Sequence, residues 1–157
     1  MSHSRDGEGS KKQTALRLVF LAYLVFLCYI MFFAEMLGRT ETDRQYSYNL
    51  EPFREISRFL RYRERLGMRA VLWNLGGNVL CFMPFGFLLP CIRKNMGRWY
   101  LSVLFSFYLS LMIETTQLIL KVGSFDVDDL LLNTLGGLLG FLCYRVWQKA
   151  GERNKKE

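Results

Sequence analysis

The sequence predicts an all-α membrane protein: a four-span transmembrane helical bundle with an extracytoplasmic amphipathic helix. Three observations predict it. Hydrophobic residues make up 51% of the 157-residue chain, and they gather in blocks rather than recurring at helical or strand period. Four of these blocks reach the roughly 20 residues that a helix rising about 1.5 Å per residue needs to cross about 30 Å of hydrocarbon. Basic residues are concentrated in alternate connecting segments, as topology-setting charges are.

The elements follow in order. A basic tail (residues 1–14) precedes a first span at about 15–37. Lys11, Lys12 and Arg17 ahead of an apolar run resemble a secretory signal. The run is longer than a 7–15-residue signal core and has no small-x-small cleavage site, so an uncleaved span is expected. A loop at 38–69 follows, then spans at about 70–92, 99–120 and 127–147 and a basic tail at 148–157. Together, residues 15–147 form one transmembrane domain.

With four crossings, both tails and the Arg93–Arg98 turn share one side, which holds 12 of the 21 basic residues and only four acids. Positive-inside counting therefore places both termini in the cytoplasm and residues 38–69 and 121–126 outside. This asymmetry also accounts for the net charge of +7 without nucleic acid, for which no recognition fold is present. The four cysteines lie in or at the ends of spans, with no metal-ligand spacing, and read as small buried hydrophobes. Trp73, Trp99, Tyr100 and Trp147 fall near span ends, as interface anchors do.

The outer loop has no lysine. After Pro52, suited to a first helical position, Arg54, Arg58, Arg61 and Arg65 recur at spacings of four, three and four and stack along one helix face. Phe53, Ile56, Phe59 and Leu60 fall on another, the pattern of a helix lying in the headgroup layer. The arginines are headgroup-binding candidates through their planar forks; Glu51, Glu55 and Glu64 offer the alternative of a neutralised, solvated face.

Polar residues in the spans lie at one depth. Glu35 is near the outer end of the first span, Asn74 and Asn78 near the outer start of the second, and Glu114 and Gln117 in the outer third of the third. Asp126, Asp128, Asp129 and Asn133 open the fourth. Hydrocarbon disfavours such groups unless they serve one another or a ligand, so a shared polar pocket is expected. Its members are Asn74, Asn78, Glu114, Gln117, Asp126, Asp129 and Asn133.

Asp126, Asp128 and Asp129 also sit where carboxylates cap a helix, which accounts for one or two of them. Glu114, Asp126, Asp128 and Asp129 are the candidates for acid–base chemistry, and the residues leave open whether any bond is broken. Their acidic oxygens could hold a hard divalent cation, but Asp-x-Asp-Asp lacks the loop chemistry of a calcium hand, so no metal and no cofactor are expected. Gly136 and Gly140 form a small-xxx-small notch, and Gly76–Gly77 between the asparagines is expected to help the second and fourth helices approach. Pro84 is expected to interrupt the second helix.

These residues carry a resemblance. Asn49-Leu50-x-Pro52-Phe53, NLGGNVLCFMPFGFLLP at 74–90, Glu114-x-x-Gln117 and FDVDDLLLNTLGG at 125–137 resemble, in order and spacing, the VanZ-like membrane protein family. The resemblance singles out Asn49, Pro52, Asn74, Asn78, Pro84, Glu114, Gln117, Asp126, Asp129 and Asn133. It implies a bacterial cytoplasmic-membrane protein of the cell envelope associated with teicoplanin-type glycopeptide resistance. Membrane lipids or a lipid-linked cell-wall precursor are then the expected partners. The alternative is a membrane enzyme or lipid-handling protein acting on a lipid headgroup or lipid-linked cell-wall precursor. Relatives often carry an arginine before the Phe-Asp pair; here Gly123-Ser124 stands there, and Lys121 is the nearest cation.

Overall fold

Four helices are long and apolar enough to cross a membrane, and two-residue strands tie the loop between the first two of them to the bundle. The computed structural model describes the backbone of residues 3–37 and 46–154, with side chains for 10–32, 46–69, 71–93 and 95–154. Helix α1 spans His3–Leu37; β1 is Tyr48–Asn49; α2, α3 and α4 are Arg54–Arg61, Arg63–Leu66 and Met68–Val71. A π-helical turn, Leu72–Gly76, leads into α5 (Gly77–Ile92), followed by α6 (Trp99–Leu120), β2 (Phe125–Asp126) and α7 (Val127–Arg153). Ser10–Phe32, Leu72–Ile92, Trp99–Leu120 and Val127–Arg153 are long and apolar enough to span a bilayer.

Helices α5 and α7 pack at backbone distance. A Cβ at Gly136, Gly140 or Gly86 would lie 2.3 Å from the Val79 carbonyl oxygen, 1.9 Å from that of Met83 and 1.8 Å from that of Gly137, respectively. Without a hydrophobic drive between helices in lipid, such close van der Waals approach is what holds spans together. Gly76 and Gly77 do not share this role, because added Cβ atoms there meet nothing within 4 Å. They lie instead at the π turn, where the ladder is already irregular.

Helix α1 is held at both ends. On the side of the short turns, Gln13 Nε2 donates to the Ile92 carbonyl (2.7 Å), Phe20 stacks on Phe85 (5.7 Å between centroids) and Tyr23 Oη donates to the Cys81 carbonyl (2.6 Å). On the loop side α1 packs on α6 as well as on α5. Leu27 and Met31 join Phe82 and Ile113 in the buried core, and Gln117 Nε2 donates to the Met31 carbonyl (3.2 Å).

The segment between α1 and α5 departs from a single helix starting at Pro52. Phe53 adopts a left-handed φ of 65°, so α2 begins at Arg54 and ends at Arg61; Tyr62 separates it from α3. Phe53 and Leu60 are exposed, while Phe59 turns inward. Strand pairing, absent from the expected helical architecture, places β1 parallel to β2 with Tyr48 opposite Phe125 and Asn49 opposite Asp126. The four cysteines are unpaired; Cys143 is exposed rather than buried.

Candidate functional site

The loop-side ends of the helices enclose a cavity of about 790 Å³, within the range of small-ligand sites. Asn74, Asn78, Glu114, Gln117, Asp126, Asp128 and Asp129, each singled out from depth and sequence, line it. Arg54 and Arg58 reach it from α2, but Arg61, the last residue of α2, and Arg65, on α3 beyond the break at Tyr62, do not. The side chain of Glu35 lies outside the described residues.

The FDVDD segment works as a relay of hydrogen bonds joining three elements. Glu114, 2% exposed, accepts the Asp126 N–H through Oε2 at 3.0 Å. Asp126 Oδ1 accepts the Asp128 N–H at 2.8 Å, capping α7, and the Asn49 amide Nδ2 at 3.0 Å. Asp128, 1% exposed, turns outward from α7 and caps α2 across the loop. Its Oδ1 accepts the Phe53 N–H, and its Oδ2 accepts those of Glu55 (2.8 Å) and Ile56 (3.1 Å). A helix amino terminus leaves such N–H groups without intrahelical partners and favours negative charge beside them. Asn49 Oδ1 also accepts the Glu51 N–H (3.3 Å), turning the chain toward α2. Capping therefore accounts for Asp126 and Asp128, the second of them on a helix more than 70 residues away in sequence.

Asp129 points the other way. Its Oδ1 accepts a hydrogen bond from Asn78 Nδ2, linking α7 to α5 at the cavity wall. Asn133, expected in the pocket, is not part of its lining. It is fully buried and donates from Nδ2 to Ser110 Oγ on α6 (2.9 Å). Four residues of helix advance the side chain by about 40° beyond a full turn, enough to send Asp129 to α5 and Asn133 to α6. Asn133 Oδ1, Ser102 Oγ and Ser106 Oγ are buried without a partner among the described residues.

Burial pushes the Asp126 carboxyl above its ordinary range, against the lowering effect of its hydrogen bonds from Asp128 and Asn49. Burial also raises Glu55, which Arg58 opposes from 2.7 Å. For a raised carboxyl the folded state binds the proton more tightly than the unfolded chain. Its contribution to stability therefore grows as pH falls through the folded-state value, and is lost as pH rises through it. Wild type should gain thermal stability in detergent relative to Asp126→Asn as pH is lowered from neutral toward the ordinary aspartate value of about 4. A relative loss over the same interval would contradict the assignment.

Lys121, the cation nearest the Phe125–Asp126 pair, caps α6 in a left-handed conformation (φ 55°) and lies 4.5 Å from the centre of the Tyr46 ring. The cavity's positive groups are thus the two arginines of α2. Among the described residues no cluster of three or more His, Cys, Asp or Glu has the arrangement to hold a metal ion.

Residues 20–148 match the VanZ/LLP1 family. Over 111 residues the chain is 34% identical to Protein VanZ of Enterococcus faecium, an alignment covering 71% of this chain and 60% of that relative. It thus spans less than two thirds of the length of that curated protein. No solved structure matches.

Proposed function

We propose that this chain, which belongs to the VanZ/LLP1 family, is a multi-pass protein of a bacterial cytoplasmic membrane with both termini inside. Its cavity faces the outer leaflet and engages the polar head of a membrane lipid or lipid-linked cell-wall precursor. Through that contact it lowers the effect of teicoplanin-type glycopeptides on the envelope.

The observation that carries this reading is the cavity itself. Polar groups from the helices and the outer loop converge at its upper end, while Phe26, Ile30, Leu80 and Leu132 form apolar walls below. An amphiphile has that polarity, and a soluble metabolite does not. Binding without turnover is favoured because Asp126 and Asp128, two of the four candidate catalytic carboxylates, accept the N–H groups that hold α7 and α2 in place.

The test is susceptibility of a host expressing Asp129→Asn or Glu114→Gln. Both keep shape and an acceptor oxygen while removing charge, so resistance conferred by the wild-type chain should be lost. Resistance at the wild-type level in both variants would overturn a working role for the pocket.

A further inference from the structure

Both α1 and α5 line the cavity. On the side of the short turns the seam between α1 and α5 is closed by the Gln13–Ile92, Phe20–Phe85 and Tyr23–Cys81 contacts. Above Tyr23 the cavity lies between residues of both helices, Phe26 and Ile30 of α1 and Leu80 and Pro84 of α5, while Leu27 and Met31 pack with Phe82 and Ile113. Strongly exposed apolar side chains of the cavity lie on these two spans: Phe26 (59%), Leu80 (65%) and Trp73 (82%). In a membrane, exposed apolar side chains at that depth face lipid, so the mouth opens into a leaflet rather than into water.

The dimensions match one leaflet. From Asn74 at the polar end to Pro84 is about ten residues of helix, or about 15 Å, half of the roughly 30 Å hydrocarbon thickness. The Tyr23–Cys81 hydrogen bond closes the floor near that depth.

The charge of the lining selects among amphiphiles. Glu55, Glu114, Asp126, Asp128 and Asp129 outnumber Arg54 and Arg58 around the cavity. N–H and amide groups of the loop, α5 and α7 donate to these carboxylates, and such donors satisfy hydrogen bonds without adding positive charge. A purely anionic head would meet net repulsion, whereas one with a phosphate and an ammonium finds a partner for each.

We infer that the cavity takes a phospholipid sideways from the loop-side leaflet, through the cleft between α1 and α5. One acyl chain lies against the α1–α5 walls, the phosphate sits at Arg54 and Arg58, and a primary ammonium, which can donate N–H groups to a carboxylate as the quaternary ammonium of phosphatidylcholine cannot, sits at Asp129. This deepens, and rests on, the reading of the cavity as a lipid-head site.

The experiment uses the full chain in phosphatidylcholine nanodiscs containing a trace of phosphatidylethanolamine with a photoreactive diazirine on its acyl chain. Cross-links are expected in the Tyr23–Met31 and Leu80–Pro84 segments, displaced roughly tenfold better by unlabelled phosphatidylethanolamine than by phosphatidylglycerol. Arg58→Ala and Asp129→Asn should each reduce that labelling about tenfold. Leu80→Trp, at an exposed position that leaves the core untouched, should block it while outward labelling at Met112 and Ile119 persists.

Labelling confined to Met112, Ile119 and similar outward residues would overturn access through the cleft. Equal displacement by phosphatidylglycerol would overturn the ammonium assignment and leave the cavity a lipid-head site. Equal displacement by soluble phosphoethanolamine would overturn the lipid as the source of the head. Failure of the underlying reading is distinguishable: native mass spectrometry would then find no lipid retained by the wild-type protein under conditions that strip the annular shell.

Discussion

Gly86→Ala and Gly140→Ala are expected to prevent stable assembly of the bundle. The new methyl groups would fall 1.8 Å from the Gly137 carbonyl oxygen and 1.9 Å from that of Met83. Both obstacles are backbone, so no rotamer change relieves them and α5 and α7 must separate along their seam. Overpacking a core costs about 1–3 kcal/mol, occasionally more, and a backbone clash belongs at or above the upper end. That is a large part of the roughly 5–15 kcal/mol that separates folded from unfolded protein. Gly77→Ala is the matched control, with nothing within 4 Å of its added Cβ and up to about 1 kcal/mol to gain from helix propensity. Monodisperse yield after detergent extraction and the thermal midpoint read the difference. Equal behaviour of the three variants would contradict the backbone packing described.

Asp128→Ala should release α2 while leaving the four spans assembled. The change removes the carboxylate that accepts the Phe53, Glu55 and Ile56 N–H groups, deep under the loop where water does not readily replace it. Loss of a cap costs about 0.5–2 kcal/mol and each buried unsatisfied donor about 1–3, so local destabilisation of about 2 kcal/mol or more is expected. Amide exchange at Phe53, Glu55 and Ile56 should accelerate roughly thirtyfold or more, with exchange in α6 and α7 unchanged. Asp128→Asn, which keeps one acceptor oxygen, should fall between the two. Unchanged protection of α2 in Asp128→Ala would show that packing of Phe59 and Ile56, rather than the cap, holds the helix.

The four spans were legible in the sequence because hydrocarbon leaves so few options: about 20 apolar residues without charge have little to do but cross it. Depth likewise collected Asn74, Asn78, Glu114, Gln117, Asp126 and Asp129, since it needs only a count along each helix. Asn133 was misplaced because depth carries no information about azimuth, and a side chain one turn below Asp129 faces a different neighbour. Gly76–Gly77 misled for a related reason: a small residue permits close approach but does not supply the helix that approaches.

The role of Asp128 was illegible for a third reason. A capping carboxylate is recognised in sequence by its position just ahead of its own helix, and this one caps a helix on the other side of two membrane spans. The β1–β2 pairing that delivers α2 to Asp128 is two residues long on each strand, below any alternating pattern. Asn49, carried by the family resemblance alone, joins that pairing to Asp126.

Whether the polar lining works on a ligand or only holds helices together is decided by a paired comparison. The thermal midpoints of purified Glu114→Gln and Asp129→Asn proteins are set beside the glycopeptide susceptibility of cells producing each. In Glu114→Gln the new amide oxygen would still accept the Asp126 N–H, and in Asp129→Asn the new side chain would still meet Asn78. Midpoints close to wild type are therefore predicted together with loss of resistance. Variants whose loss of resistance tracks loss of folded protein, midpoint for midpoint, would contradict a ligand role and leave the lining a structural one.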